Sequence, residues 1–192
     1  MPRNASYNHK AGNGKTPETA EIEGFREMIR ILFVCHGNIC RSPMAEFVLK
    51  DIVKRRGLED SFYIESAATS TEEIWHGVGN PVYPPARAKL REHGIGTDDN
   101  ELGVSEKRAR QTVKSDYDKF DYIIGMDSAN IRNMQMIYGG DPENKIYKML
   151  DFTERTGDVA DPWYTGRFDA TWRDVYEGCM GFLDKINREG MR

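Results

Sequence analysis

The run Ile31-Leu32-Phe33-Val34, with Cys35-His36-Gly37-Asn38-Ile39-Cys40-Arg41-Ser42 directly after it, restricts the fold more than any other stretch of the chain. Four successive apolar residues leave no face for water, so the strand they form is covered on both sides, as a central strand of a parallel sheet is. A parallel neighbour needs a crossover, and the sequence supplies a helix for it. Ser42-Pro43 reads as an N-cap followed by proline at the first helical position. Met44, Ala45, Val48, Leu49, Ile52 and Val53 then recur at helical spacing until Gly57 stops the helix.

The alternation continues. Phe62-Tyr63-Ile64 reads as a second strand, Pro85 to His93 as a helix ended by Gly94, and Phe120 to Ile124 as a third strand. Ala129 to Tyr138 is a helix ended by Gly139-Gly140, and Lys145 to Leu150 a fourth strand. In the last helix Phe168, Trp172, Val175, Tyr176, Cys179, Leu183 and Ile186 form the face that docks on the sheet, leaving Arg173, Asp174, Glu177 and Lys185 to water. This order predicts an α/β fold, a doubly wound four-stranded parallel sheet flanked by helices on both faces with right-handed crossovers. Ligands bind such sheets beyond the carboxyl ends of the strands, which points to the loop after Val34.

Composition narrows the partners. With 27 Lys and Arg against 31 Asp and Glu, the net charge of −4 gives no attraction to a nucleic-acid backbone. The mean hydropathy is −0.68, and no stretch approaches the ~18–20 apolar residues of a membrane span. Three cysteines in 192 residues do not read as a disulfide framework. The start lacks a signal-peptide core, so a cytoplasmic location is expected. Residues 1–27 are polar and without hydrophobic period, and read as a disordered leader before a domain spanning 28–192, with Met28 a second candidate start. Within the leader, Gly12 to Thr16 lacks the strand and first glycine of a nucleotide loop, and Asn4-Ala5-Ser6 is a chance glycosylation sequon. His9, His76 and His93 are scattered, and no metal site is expected.

The loop itself carries chemistry. Cys35 and Arg41 are six positions apart between a buried strand and a helix start, where backbone N–H groups form an anion nest and the helix adds partial positive charge. Gly37 allows the curl, and Arg41 offers a planar fork for two oxygens of an oxyanion. The same field favours the thiolate of Cys35, whose attack on a phosphate monoester would give a cysteinyl-phosphate that water then hydrolyses. A buried Cys179 on the last helix is an ordinary core residue.

At this point the residues resemble a family. VCHGNICRSPMAE at 34–46, Ser66-Ala67-Ala68-Thr69, Phe120-Asp121-Tyr122-Ile123 with Met126-Asp127, and Asp161-Pro162-Trp163-Tyr164-Thr165-Gly166 are similar, in order, to the motifs of low-molecular-weight protein tyrosine phosphatases. Trp163 and Thr165 depart from the commonest tyrosine–tyrosine–glycine form of the last motif. The resemblance runs from about Ile29 to near the C-terminus. It implies a flavodoxin-like strand order, Cys35 as nucleophile, Arg41 as phosphate clamp and Asp161 as general acid, with Cys35 to Ser42 as the phosphate-binding loop. It further implies Asn38, Ser42 and Ser66 as a supporting network, with Lys107 where the family often has a histidine. Trp75, Trp163 and Tyr164 match positions that wall an aromatic cleft, and Ile39 matches the apolar branched residue that accompanies phosphotyrosine activity, where threonine accompanies phosphoarginine activity. The expected partner is a phosphotyrosine protein, with no cofactor and a monomer or weak dimer as the assembly.

Adjacency suggests that Cys40 pairs with Cys35 on oxidation. His36 is expected to point outward from the loop, and Arg108 and Arg110 to be a solvated patch. Two other readings share the loop. A thiol-dependent arsenate reductase needs further relay cysteines, and only Cys179 remains beyond Cys40. A silent anion-binding module would hold phosphate without turnover.

Overall fold

The structure, a computed structural model, describes residues 28–190. The leader, with its glycine-rich and sequon segments, lies outside the described residues. Strands β1 (Ile29–Cys35), β2 (Phe62–Ala68), β5 (Tyr122–Gly125) and β6 (Ile146–Lys148) form a parallel sheet in the order β2-β1-β5-β6. Between β2 and β5 a short antiparallel hairpin joins β3 (Ile74–Trp75) and β4 (Val78–Gly79). The helices are α1 (Arg41–Arg55), α2 (Pro84–Glu92), α3 (Asp116–Lys119), α4 (Ser128–Tyr138), α5 (Pro162–Thr165) and α6 (Phe168–Gly190).

The apolar run behaves as a strand covered on both sides. Ile31, Phe33 and Cys35 join a core with Met44, Val48 and Leu49 of α1 and with Val175, Phe182 and Leu183 of α6. Their neighbours Leu32 and Val34 point the other way, into a second core with Phe120, Ile123, Met134 and Tyr138. The alternation along one strand therefore feeds two cores, which requires helices on both faces. The doubly wound parallel sheet is the architecture expected from the sequence.

Several local expectations are corrected. Ser42 does not cap α1: the helix starts at Arg41 after Cys40, with no side-chain cap, because the Ser42 hydroxyl turns to the Cys35 sulfur. The fourth strand stops at Lys148, where Met149–Phe152 winds into a 3-10 turn and Asp151 accepts the Lys148 N–H at 2.8 Å. Asp174 is buried, and Arg155 donates to it at 2.9 Å. Phe182, outside the expected stripe, is fully buried. A Cβ on Gly181 would lie 1.8 Å from the Phe152 carbonyl, so α6 packs against the backbone of that turn and only glycine fits there.

Candidate active site

Strand β1 ends on Cys35 and α1 begins at Arg41, so the loop between them sits at the carboxyl edge of the central strand. Its backbone curls through Asn38, which has φ of 57°, a left-handed conformation that asparagine tolerates better than most residues. The curl aims the Asn38 N–H at Cys35 Sγ, 3.2 Å away, and Ser42 Oγ reaches the same sulfur at 3.1 Å. The sulfur is therefore buried, with two hydrogen-bond partners and a helix start beside it.

Asn38 is fixed by its side chain. Nδ2 donates to Ser42 Oγ at 2.9 Å and to Ser66 Oγ at 2.8 Å, while Oδ1 accepts the Arg110 N–H at 3.2 Å. Ser66 in turn donates to Glu46 Oε2 at 2.5 Å. Glu46 is buried on α1 between Lys107 Nζ, 2.8 Å from Oε2, and Lys50 Nζ, 2.5 Å from Oε1. Burial pulls the Lys107 ammonium below its ordinary range, with Glu46 opposing the shift. The structure joins Asn38, Ser42 and Ser66 by hydrogen bonds and extends the chain to Glu46 and Lys107. Glu46 was hidden from sequence reasoning because a glutamate near the start of a helix has an ordinary solvated reading; its one signal is its place beside the apolar stripe.

Arg41 is almost fully buried. Nη1 donates to Asp127 Oδ2 at 2.6 Å and Nη2 to Asp161 Oδ2 at 2.5 Å. Burial lowers its pKa, but negative charge at Cys35 and Asp161 and the Asp127 hydrogen bond outweigh that and move it above its ordinary value. Asp127 also caps α4 by accepting the Asn130 N–H, so that helix holds the arginine's partner in place. Asp161 caps α5 through the Trp163 N–H at 3.0 Å, which sets its carboxylate over the loop. Cys40 is buried beside them, and burial, with Cys35 and Asp161 adding to it, pushes its thiol far above the ordinary value. Cys179 is buried and likewise pushed up, by burial alone.

A cavity of about 130 Å³ opens over the loop, lined by buried Cys35, Cys40 and Arg41 together with Asp161 and exposed Trp163 and Tyr164. Glu72 and Glu73 also line it, and exposed His36 pairs with Glu72 at 2.9 Å. Trp75 is not among the lining residues; it stands two-thirds exposed on β3. Tyr83, which sequence reasoning passed over, packs its ring 5.0 Å from that of Trp163 and backs the aromatic wall. Ile39 is buried among Cys40 and Ala109 and lines the cavity. Arg110 is no solvated residue: it pairs with Asp116 at 2.8 Å and Glu65 at 2.9 Å. A larger groove, about 840 Å³, lies between the Met149–Phe152 turn and α6. It contains none of this chemistry, and size alone does not make it the site.

Fold and loop together define an α/β protein with a cysteine–arginine loop at the carboxyl edge of its sheet. Comparison with known proteins refines that class. Residues 30–192 match the family model described as low molecular weight phosphotyrosine protein phosphatase. The low molecular weight protein-tyrosine-phosphatase YfkJ of Bacillus subtilis is 40% identical over 164 residues, covering 84% of this chain and 98% of that protein. Its crystal structure superposes with a TM-score of 0.74 at 39% identity, over 85% of this chain and 97% of that one. The Streptococcus pyogenes low molecular weight protein tyrosine phosphatase gives 0.69 at 40% identity, over 83% and 93%. A Drosophila arginine phosphatase gives 0.69 at 28% identity, over 82% and 98%. The chain belongs to the low molecular weight phosphotyrosine protein phosphatase family, whose members are cysteine-dependent protein tyrosine phosphatases.

Proposed function

We propose that the protein hydrolyses phosphotyrosine in protein substrates through a cysteinyl-phosphate. The observation that carries this reading is the convergence of Cys35 Sγ, the Arg41 guanidinium and the Asp161 carboxyl on one small cavity. The Cys35 thiolate attacks phosphorus, an S–P bond forms, and the P–O bond to the tyrosine breaks as Asp161 gives its proton to the departing oxygen. Water then attacks the phosphorus with Asp161 taking its proton, the S–P bond breaks, and inorganic phosphate and the thiolate are restored. Arg41 holds two equatorial oxygens, and inward backbone N–H groups hold the rest as charge develops. Thiolate and guanidinium supply nucleophile and charge, so the sequence needs no metal.

Trp163 and Tyr164 support an aryl ester over a small aliphatic one, since a flat ring fits beside them. The catalytic unit proposed is residues 28–192, in the cytoplasm; the free state of all three cysteines and the absence, among the described residues, of any helix able to cross a membrane fit that location. Cys40 is proposed as a redox partner: peroxide takes Cys35 to the sulfenic acid, and the Cys40 thiol then displaces water to give a disulfide. A Cys40→Ser variant should lose thiol-reversible recovery after peroxide, and unchanged recovery would remove that role.

The test is steady-state hydrolysis of phosphotyrosine, phosphoserine and phosphoarginine by the wild type, Cys35→Ser and Asp161→Asn. Cys35→Ser should lose phosphotyrosine turnover by ~10⁴-fold or more, and Asp161→Asn should be slower by ~10²-fold or more, most of all with poor leaving groups. Phosphate released mainly from phosphoarginine would overturn the substrate and leave the mechanism. No turnover of any of the three would favour the silent binding module.

A further inference from the structure

Arg41 is seated by two carboxylates from separate segments, and a third carboxylate ties those segments together. Asp127 stands one residue before Ser128, and Asp161 three residues after Asp158. Asp158 Oδ1 accepts the Ser128 N–H at 3.1 Å, the Ser128 hydroxyl at 3.0 Å and the Lys148 ammonium at 3.2 Å. Ser128 opens α4, where N–H groups lack partners inside the helix, and Lys148 closes β6. Burial would raise the Asp158 carboxyl, but the hydrogen bonds from Lys148 and Ser128 prevail and hold it below its ordinary range, as an anion.

The bonds that Asp161 makes for itself do not fix its distance from the loop. The Trp163 N–H that it accepts belongs to its own segment and moves with it. Arg41, its other partner, is the group that must hold phosphate oxygens once an ester is bound. The segment is therefore anchored upstream of the acid. The Val159 N–H donates to the Met126 carbonyl at 2.8 Å, and the Thr171 hydroxyl of α6 donates to the Ala160 carbonyl at 3.1 Å, with Met126, Val159 and Thr171 all buried. Asp158 is the charged anchor, and 47% of its side chain is in water, so replacing it opens no core.

We propose that Asp158 is a positioning residue for Asp161: its carboxylate, tied to the start of α4 and the end of β6, holds the acid within reach of the oxygen that leaves. This rests on Asp161 being the general acid. Proton transfer needs ~2.6–3.2 Å between heavy atoms, and a misplacement of ~1 Å can cost ~10²-fold. The need depends on the ester. A dinitrophenolate leaves without a proton, whereas a phenolate such as that of tyrosine does not, so a displaced acid slows the second and spares the first.

The experiment measures kcat/KM, which reports formation of the cysteinyl-phosphate, for 2,4-dinitrophenyl phosphate, phenyl phosphate and phosphotyrosine, together with Tm. The full chain is used as wild type, Asp158→Ala, Asp158→Asn, Asp161→Asn and the Asp158→Ala/Asp161→Asn double variant. Asp158→Ala should lower kcat/KM ~10–30-fold for phenyl phosphate and phosphotyrosine, and no more than ~2-fold for the dinitrophenyl ester. In the Asp161→Asn background the same change should cost ~2-fold or less with every ester, because the acid it positions is gone. Equal losses across the three esters, whatever happens to Tm, would mean that Asp158 only supports the fold and overturn the proposal; so would additive losses in the double variant. Should Asp158→Ala not fold, Asp158→Asn keeps an oxygen for the Ser128 N–H and drops the charge that holds Lys148. It should change the ratio of phenyl to dinitrophenyl turnover ~3-fold, and an unchanged ratio overturns the proposal. Asp161→Asn with the wild-type ratio of esters would sink the acid assignment itself, a separate failure.

Discussion

At the floor of the cavity each side chain is tied at more than one point, Asn38 to Ser42, Ser66 and the Arg110 backbone, and Arg41 to Asp127 and Asp161. At the mouth, Trp163 and Tyr164 stand on the four residues of α5, 54% and 83% exposed, with the Tyr83 ring as the packing partner of the tryptophan. The contrast separates two tasks. Groups that meet developing charge must be in place before it appears, and a network of buried hydrogen bonds holds them there. Groups that greet the rest of a substrate contribute contact area, and exposure leaves them free to meet differing sequences.

This division predicts graded effects. Arg41→Lys should lower kcat for phosphotyrosine by ~10³-fold or more while the protein stays folded, because an ammonium cannot reproduce the fork between two carboxylates and two phosphate oxygens; a loss under tenfold would mean that the floor is not where charge is stabilised. Asn38→Ala, which removes three hydrogen bonds and puts alanine at a φ of 57° that asparagine tolerates better, should lower kcat ~10–100-fold and Tm as well. Asn38→Gly separates the two causes, since glycine accepts the angle but not the bonds, and recovery of kcat in it would make backbone strain the whole effect.

Trp163→Ala belongs to the mouth. It should raise KM for aryl phosphates ~3–10-fold with kcat within ~2-fold, and a kcat loss as large as that of Asn38→Ala would erase the distinction between the regions. The smallest effect concerns the wall behind the floor. Burial would raise the Asp116 carboxyl, but hydrogen bonds from Arg110, Val113 and Thr112 prevail and hold it below its ordinary range. Its contribution is therefore present above the ordinary carboxylate range and disappears as pH falls through its depressed folded value. Urea unfolding of Asp116→Asn should show a deficit of roughly 1–3 kcal/mol at pH 7 that shrinks toward pH 3; a deficit independent of pH would assign the loss to packing instead.

What the sequence revealed follows the same line. Strand, loop and α1 are contiguous, so Val34 through Val53 displayed buried strand, anion nest and helix stripe within one short window. Cys35 and Arg41 were readable from that local context, and Asp161 only through family resemblance, because an Asp-Pro step by itself is a turn. The links that hold the site together span the chain: Asp127 to Arg41, Lys107 to Glu46, Arg110 to Asn38. No periodicity marks such pairs. Ser42 shows how local rules mislead there, since a serine before proline reads as a cap until a sulfur from the preceding strand claims its hydroxyl. Asp174 fails likewise, as a charge on a helix looks solvated until Arg155, nineteen positions earlier, folds over it.

The span of those links also orders events during synthesis. Arg41 meets Asp161 across 120 positions and Asn38 meets Arg110 across 72. A nascent chain whose ribosome has passed only the loop and α1 lacks the backbone that curls Asn38 and both carboxylates that seat the guanidinium. Cys35 is written early in the message, yet the contacts around it are complete only when the C-terminal quarter has emerged. On the proposed mechanism, fragments released prematurely lack the Asp161 contact to Arg41, and turnover reports on the finished polypeptide.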